Sequence, residues 1–299
     1  MNELNILNKL SMLDLASKPV NDIDRYIGQI GPTAGIGYTL HNGFPIFRGR
    51  PNESETEEFR TRDQLGYKPQ KFNTTFQRAS TPNKTMFYGS ILPPEIGENE
   101  INNARLTACF EASKTYRNNL FKSNEKITFS RWEVQNDVNL LLILPGLTND
   151  NQDSFLTKMN AELEKKMSAD RELAIRTRLV NEFFAQQFSN PNIRYDYDYI
   201  ISALFTESKL QYGFDGILYP SVKARGRGYN ICLTPECVDH KLKLVAAGEA
   251  RIVKIGYTSE VLNERQVSIH DDSKSFEYEL MEGYVKPEIV IKKLEKRYS

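Results

Sequence analysis

The sequence predicts an α+β protein, and three observations carry that reading. The chain opens with helical spacing, interleaves strands and helices through its middle, and closes rich in β structure. Its apolar runs are strand-sized and stop at Pro or Gly. It shows no regular strand–helix–strand repetition and lacks the Gly-x-Gly-x-x-Gly fingerprint, so a doubly wound parallel sheet is disfavoured.

The opening MNELNILNKLSMLDLASKPV sets Leu4, Leu7, Leu10 and Leu13 at amphipathic-helix spacing, unlike a signal or transit peptide. GQIGPTAGIGY then reads as a connector, because the Lys-Ser/Thr ending of a phosphate loop is absent. Residues 1–40 are thus expected to form an N-terminal helical extension. Pro45 to Phe47 begin a strand, a charged loop follows, and TMFYGSIL is a second strand. NEINNARLTACFEASKTYRNNLF reads as a helix with Ile101, Ala104, Ala108, Glu111 and Thr115 on one face. KITFSRWEV and VNLLLIL are strands, the second ended by Pro145 and Gly146. Residues 151–190 place Phe155, Met159, Leu163 and Met167 four apart, which predicts a helical insertion folded as a hairpin. YDYIISALFTES is a further helix, and GFDGILYPSV and YNICL are strands. KLKLVAAGEARIVKIGYTSE favours β structure, while PEIVIKKLEKRY fits either a strand or a closing helix. A core over 41–260 and a packed C-terminal extension over 261–299 complete the expected organisation.

Composition narrows the function. The 299 residues carry 39 Lys+Arg and 39 Asp+Glu, so no net charge draws the molecule to nucleic acid or an anionic membrane. Only the short basic loop KARGRG speaks for nucleic acid, and no apolar run reaches bilayer-spanning length. Cys109, Cys232 and Cys237 have no disulfide-framework spacing, which points to a reducing, cytoplasmic setting. Cys232 and Cys237 with His240 make a poor zinc set, so structural cysteines and no metal are expected. His41, His240 and His270 sit in polar, loop-like contexts, and no nucleophile elbow or zinc-protease motif is present. Triad chemistry is therefore disfavoured. A reaction with a good leaving group needs less: an anchor for the substrate and charge complementary to a cationic transition state.

Four stretches could supply these. Arg78 in QRAS could clamp a phosphate, although alone it reads as a solvated loop arginine. Tyr88 in FYGS could stack on a ligand ring, or be a core tyrosine. Glu111 in TACFEAS is an odd choice beside Ala, Cys and Phe unless it faces a cleft; otherwise it edges the helix surface. Ser221 in DGILYPSVKARGRGYN follows Pro220 at a strand end, as a presented hydroxyl or an ordinary turn serine.

Taken together, the stretches PIFRGRP, QRASTPNKTMFYGS, ACFEAS and DGILYPSVKARGRGYNICL resemble the RES domain family, named for an arginine, a glutamate and a serine. The match runs over roughly 44–245, with Arg48 in the opening strand, Arg78 and Tyr88 ten residues apart, Glu111, Ser221 and Asn230. The two residues after Arg78 are Ala-Ser, where Trp-Asn is common in the family. The resemblance implies an ADP-ribosyltransferase-like mixed β core with flanking helices. It implies a toxin-type enzyme that takes NAD as its substrate and cleaves the nicotinamide–ribose bond, as a glycohydrolase or phosphorylase. A cognate antitoxin or immunity protein would be its partner. On the same scaffold a protein ADP-ribosyltransferase or a non-catalytic interaction protein is the alternative. The roles implied are Glu111 at the reacting ribose, Arg78 on the pyrophosphate, Tyr88 against nicotinamide, and Ser221 on its ribose or carboxamide. Arg48 would be a second anion clamp or a partner for Glu111, and Asn230 would join the binding residues.

Overall fold

The computed structural model describes residues 3–96, 103–146, 153–221 and 228–297. Along the chain come α1 (Glu3–Ser11), α2 (Val20–Gln29), β1 (Ile36–Leu40), β2 (Pro45–Pro51), α3 (Arg62–Leu65) and β3 (Phe87–Ile91). Then follow α4 (Ala104–Ala112), α5 (Lys114–Arg117), β4 (Lys122–Val134), β5 (Val138–Leu142), α6 (Ser154–Met167), α7 (Arg171–Ser189) and α8 (Ile200–Leu210). The last elements are β6 (Gly216–Pro220), β7 (Tyr229–Leu233), α9 (Pro235–Lys241), β8 (Leu242–Ile255), β9 (Thr258–Ser268), β10 (Glu279–Leu280) and α10 (Pro287–Glu295). Ile101 and most of the basic KARGRG loop lie outside the described residues. No helix among the described residues is long and apolar enough to cross a membrane.

The fold is α+β. Its strands join in one mixed sheet of order β1-β5-β6-β7-β3-β2-β4-β8-β9-β10, antiparallel except for β5 beside β6. Two sequence expectations change here, and one left open is decided. The Gly-rich connector ends as β1, because IGYTL finds a partner in β5. Strand β1 thus lies within the 1–40 extension, and the expected boundary at 260 falls inside β9. Of PEIVIKKLEKRY, which fitted a strand or a closing helix, Pro287–Glu295 form a helix, with Val290 and Leu294 packed four apart against Val253 and Ile255 of β8.

Both faces of the sheet are covered. On one, Ile46, Phe87, Trp132, Leu218, Ile231 and Leu233 form the larger core. On the other, Ile217, Tyr219 and Cys232 pack beneath α1, α2, α7 and α8. Helix α6 adds Phe155, Met159, Leu163 and Met167 to the first core, whereas α7 adds Val180, Phe184 and Phe188 to the second. The expected helical pair therefore straddles the β1 end of the sheet. That placement covers an edge strand that would otherwise offer its backbone to other chains.

Helix α4 carries Glu111. Asn103 caps it by accepting from the Leu106 amide at 3.0 Å. Ser113 then turns the chain and starts α5. Glu125 on β4 pins that junction, accepting from Ser113 Oγ at 2.6 Å and from the amides of Lys114 at 2.8 Å and Thr115 at 3.0 Å. Burial opposes ionisation of Glu125, but these hydrogen bonds outweigh it and hold the carboxyl below its usual value. The folded protein thus binds this proton less readily than the unfolded chain. Its contribution to stability is full above about pH 4.5 and is lost as pH falls through and below that value. Glu125→Gln should lower stability by about 1–2 kcal/mol at neutral pH and by less near pH 3, below the ordinary carboxyl value, where the unfolded wild-type chain already holds its proton. Thermal melts at the two pH values check this; an equal deficit at both would refute it.

Candidate active site

Glu111 leaves the last turn of α4 half-buried and turned toward the sheet. Its Oε1 accepts two hydrogen bonds, from Ser221 Oγ at 2.5 Å and from Asn230 Nδ2 at 2.8 Å. Its Oε2 has no hydrogen-bond partner among the described residues. Ser90 Oγ donates to Asn230 Oδ1 at 2.9 Å, which fixes the amide so that its nitrogen faces Glu111. Ser90, Ser221 and Asn230 are all buried; Ser221 and Asn230 converge on one carboxylate, and Ser90 reaches it through Asn230.

The chain builds this cluster from three distant segments. Strand β7 pairs with β3 so that Asn230 faces Ser90, and with β6 so that Asn230 faces Tyr219. Period-two alternation carries the same face from Tyr219 to Ser221, just past Pro220. The Ser221 amide still bonds the Gly228 carbonyl at 2.7 Å, so the serine belongs to the β6–β7 ladder rather than to a loose turn. Gly49 on β2 and Gly228 before β7 let α4 come down onto this face.

Tyr88 lies on that face too. Its hydroxyl accepts from the Ala79 amide at 3.0 Å and shares a 2.8 Å hydrogen bond with Ser80 Oγ. Burial, followed by the neighbouring Cys232, pushes its phenol up, so it stays neutral. The phenol thus ties β3 back to the turn that carries Arg78. Two tight turns, bridged at Gln77–Ser80 and Thr81–Lys84, fill the interval between them. The ten-residue spacing of Arg78 and Tyr88 is therefore the length of a fold-back whose ends meet.

Arg78 Nη1 donates to the carbonyl of Phe188 and, more weakly at 3.5 Å, to that of Gln187, at the end of α7. Its guanidinium carbon stands 5.2 Å from the centre of the Tyr199 ring. Nε and Nη2 make no hydrogen bond with a described residue. Tyr219 links the parts. Burial drives its phenol well up, nearby Cys232 adds to that, and the charges of Arg78 and Glu111 both act on it.

Arg48 is the exception. Phe47 pairs with Ser90, so Phe47 shares the face of Ser90 and Asn230, and Arg48, one residue on, points to the opposite face. There its guanidinium lies 5.0 Å from the Phe87 ring and donates to the Tyr88 carbonyl at 2.7 Å. Desolvation, with Arg50 adding to it, lowers its guanidinium to about 10. Arg48 is thus a structural bridge between β2 and β3, not a partner for Glu111. Sequence reasoning also missed Ser90 and Tyr219. Both were legible by alternation, two residues from Tyr88 and Ser221 respectively.

No family model matches the chain, and a search of curated proteins finds no match.

Proposed function

We propose that the chain consumes NAD, breaking the bond between nicotinamide and ribose on an ADP-ribosyltransferase-like scaffold, as its resemblance to RES domains implies. The observation that supports this most is the Glu111 carboxylate, with one oxygen pinned by Ser221 and Asn230 and the other without a hydrogen-bond partner among the described residues. Nicotinamide in NAD is cationic. It departs with the bonding electron pair as a neutral ring, so no general acid is required. The ribose acquires oxocarbenium character, and Glu111 Oε2 would face C1′ and the 2′-hydroxyl to balance it. Water or phosphate then adds at C1′ and releases its proton to solvent. Ser221 and Asn230 hold the carboxylate in place, which lowers the reorganisation needed as charge develops. Arg78 would take the pyrophosphate, and the Tyr88 and Tyr219 rings would line the ribose end. No metal enters this scheme. The three buried thiols support a reducing setting such as the cytoplasm. A dedicated antitoxin or immunity protein would restrain the activity.

The test is product analysis by mass after incubation with NAD, with and without phosphate. Free nicotinamide is expected in both, with ADP-ribose formed without phosphate and its phosphorylated form growing when phosphate is present. Intact NAD would overturn the reading. Nicotinamide appearing only when an acceptor protein becomes labelled would move it to protein ADP-ribosylation.

A further inference from the structure

We infer that the end of α7, together with Tyr199, sets the pose of Arg78 as an anion clamp. The helical pair that straddles the sheet edge is then part of the binding site. The inference rests on the NAD reading for its natural ligand, but its geometry stands by itself. A helix leaves its last carbonyls without intrahelical partners, and they carry partial negative charge. At the end of α7, the carbonyls of Gln187 and Phe188 are taken by Arg78 Nη1. The Tyr199 ring supports the planar guanidinium at 5.2 Å, a cation–π contact between two half-buried groups. Phe188 in turn packs its ring 5.1 Å from that of Tyr219, which ties the end of α7 to the site strand β6.

The result is an arginine held by one corner. With Nη1 occupied, Nε–H and Nη2–H remain, and these two parallel donors match two oxygens of a phosphate. A lysine could not do both tasks, since one ammonium cannot cap the helix and present a fork. The class of ligand is a phosphate or pyrophosphate group joined to whatever reaches Glu111.

Inorganic pyrophosphate is the probe, measured by calorimetry. Wild type should bind it. Tyr199→Leu should weaken binding about tenfold, the order expected for losing a half-buried cation–π contact, and Tyr199→Phe should restore it because the ring is kept. Arg78→Lys should weaken binding at least as much. In turnover, Tyr199→Leu should raise KM for NAD more than it lowers kcat, and should cut the preference for NAD over nicotinamide riboside about tenfold. An equal fall with both substrates would mark Tyr199 as merely structural. If Tyr199→Leu does not fold, the Arg78 Nε–H resonance of wild type carries the test: pyrophosphate should shift it. The inference fails if wild type binds no pyrophosphate, if that resonance is unmoved, or if Tyr199→Leu binds as wild type does. Nicotinamide release alongside any of these failures would sink this inference alone. Pyrophosphate binding that depends on Tyr199, with NAD left intact, would sink the NAD reading and keep the clamp.

Discussion

Glu111→Gln is expected to cut nicotinamide release from NAD by about a hundredfold to a thousandfold and to leave the melting temperature close to that of wild type. The amide keeps the shape of the side chain. Its oxygen can still accept from Ser221 and Asn230, which donate to Glu111 Oε1 at 2.5 and 2.8 Å. What changes is the atom left over. In the wild type that atom is a carboxylate oxygen; in the variant it is an N–H donor, which in the proposed reaction would face a ribose that becomes cationic. Loss of one oriented charge of this kind costs about 2.7–4 kcal/mol in the transition state. Glu111→Ala is a poorer test. It orphans the donors of two buried side chains, at about 1–3 kcal/mol each, and mixes stability with chemistry. Liquid chromatography of nicotinamide under saturating NAD measures the effect. Turnover in Glu111→Gln within about tenfold of wild type would remove Glu111 from the reaction.

The site was legible in the sequence to the extent that its residues advertise themselves locally. Glu111 stood out as a carboxylate in small, apolar company, and the structure brings it to Ser221 and Asn230, more than a hundred residues along the chain. Arg78 and Tyr88 were legible as a spacing, but its cause, two bridged turns, was not. The face of Arg48 is a matter of register with β3 and β4, and pairing partners distant in sequence decide register. The same holds for β1, whose strand character depends on β5 lying beside it. Helix α9 was missed for a different reason. Thr-Pro-Glu is a full helix-start signal, with Thr234 capping the Cys237 amide at 3.2 Å, but a helix of 7 residues is too short to show a periodic apolar face. Helix α6 shows the opposite case. Its four-residue stripe was read directly, and those residues are the ones buried. Which face of the sheet they cover could not follow from periodicity alone.

Gly49→Ala is expected to lower stability by about 1–3 kcal/mol and to reduce nicotinamide release by tenfold or more, although Gly49 touches no part of the ligand site directly. A Cβ built at Gly49 lies 2.7 Å from the carbonyl oxygen of Ala108 and 3.0 Å from Ala112 Cβ. The first neighbour is helix backbone and cannot rotate away, so α4 must lift as a body. Glu111 sits between those two residues on the same helix and must move with it. A displacement of a few tenths of an ångström would lengthen both hydrogen bonds to Oε1 and, in the proposed reaction, withdraw Oε2 from the ribose; misplacement approaching 1 Å commonly costs about a hundredfold. Ala112→Gly in the same chain should recover little, because it removes the second contact and leaves the carbonyl clash. Gly28→Ala in α2, where the added Cβ meets nothing within 4 Å, serves as the control and should be neutral or slightly stabilising. Thermal melts and steady-state nicotinamide release on the same preparations decide the matter. Wild-type stability together with wild-type turnover in Gly49→Ala would mean that the closeness of α4 to the sheet is not what places Glu111.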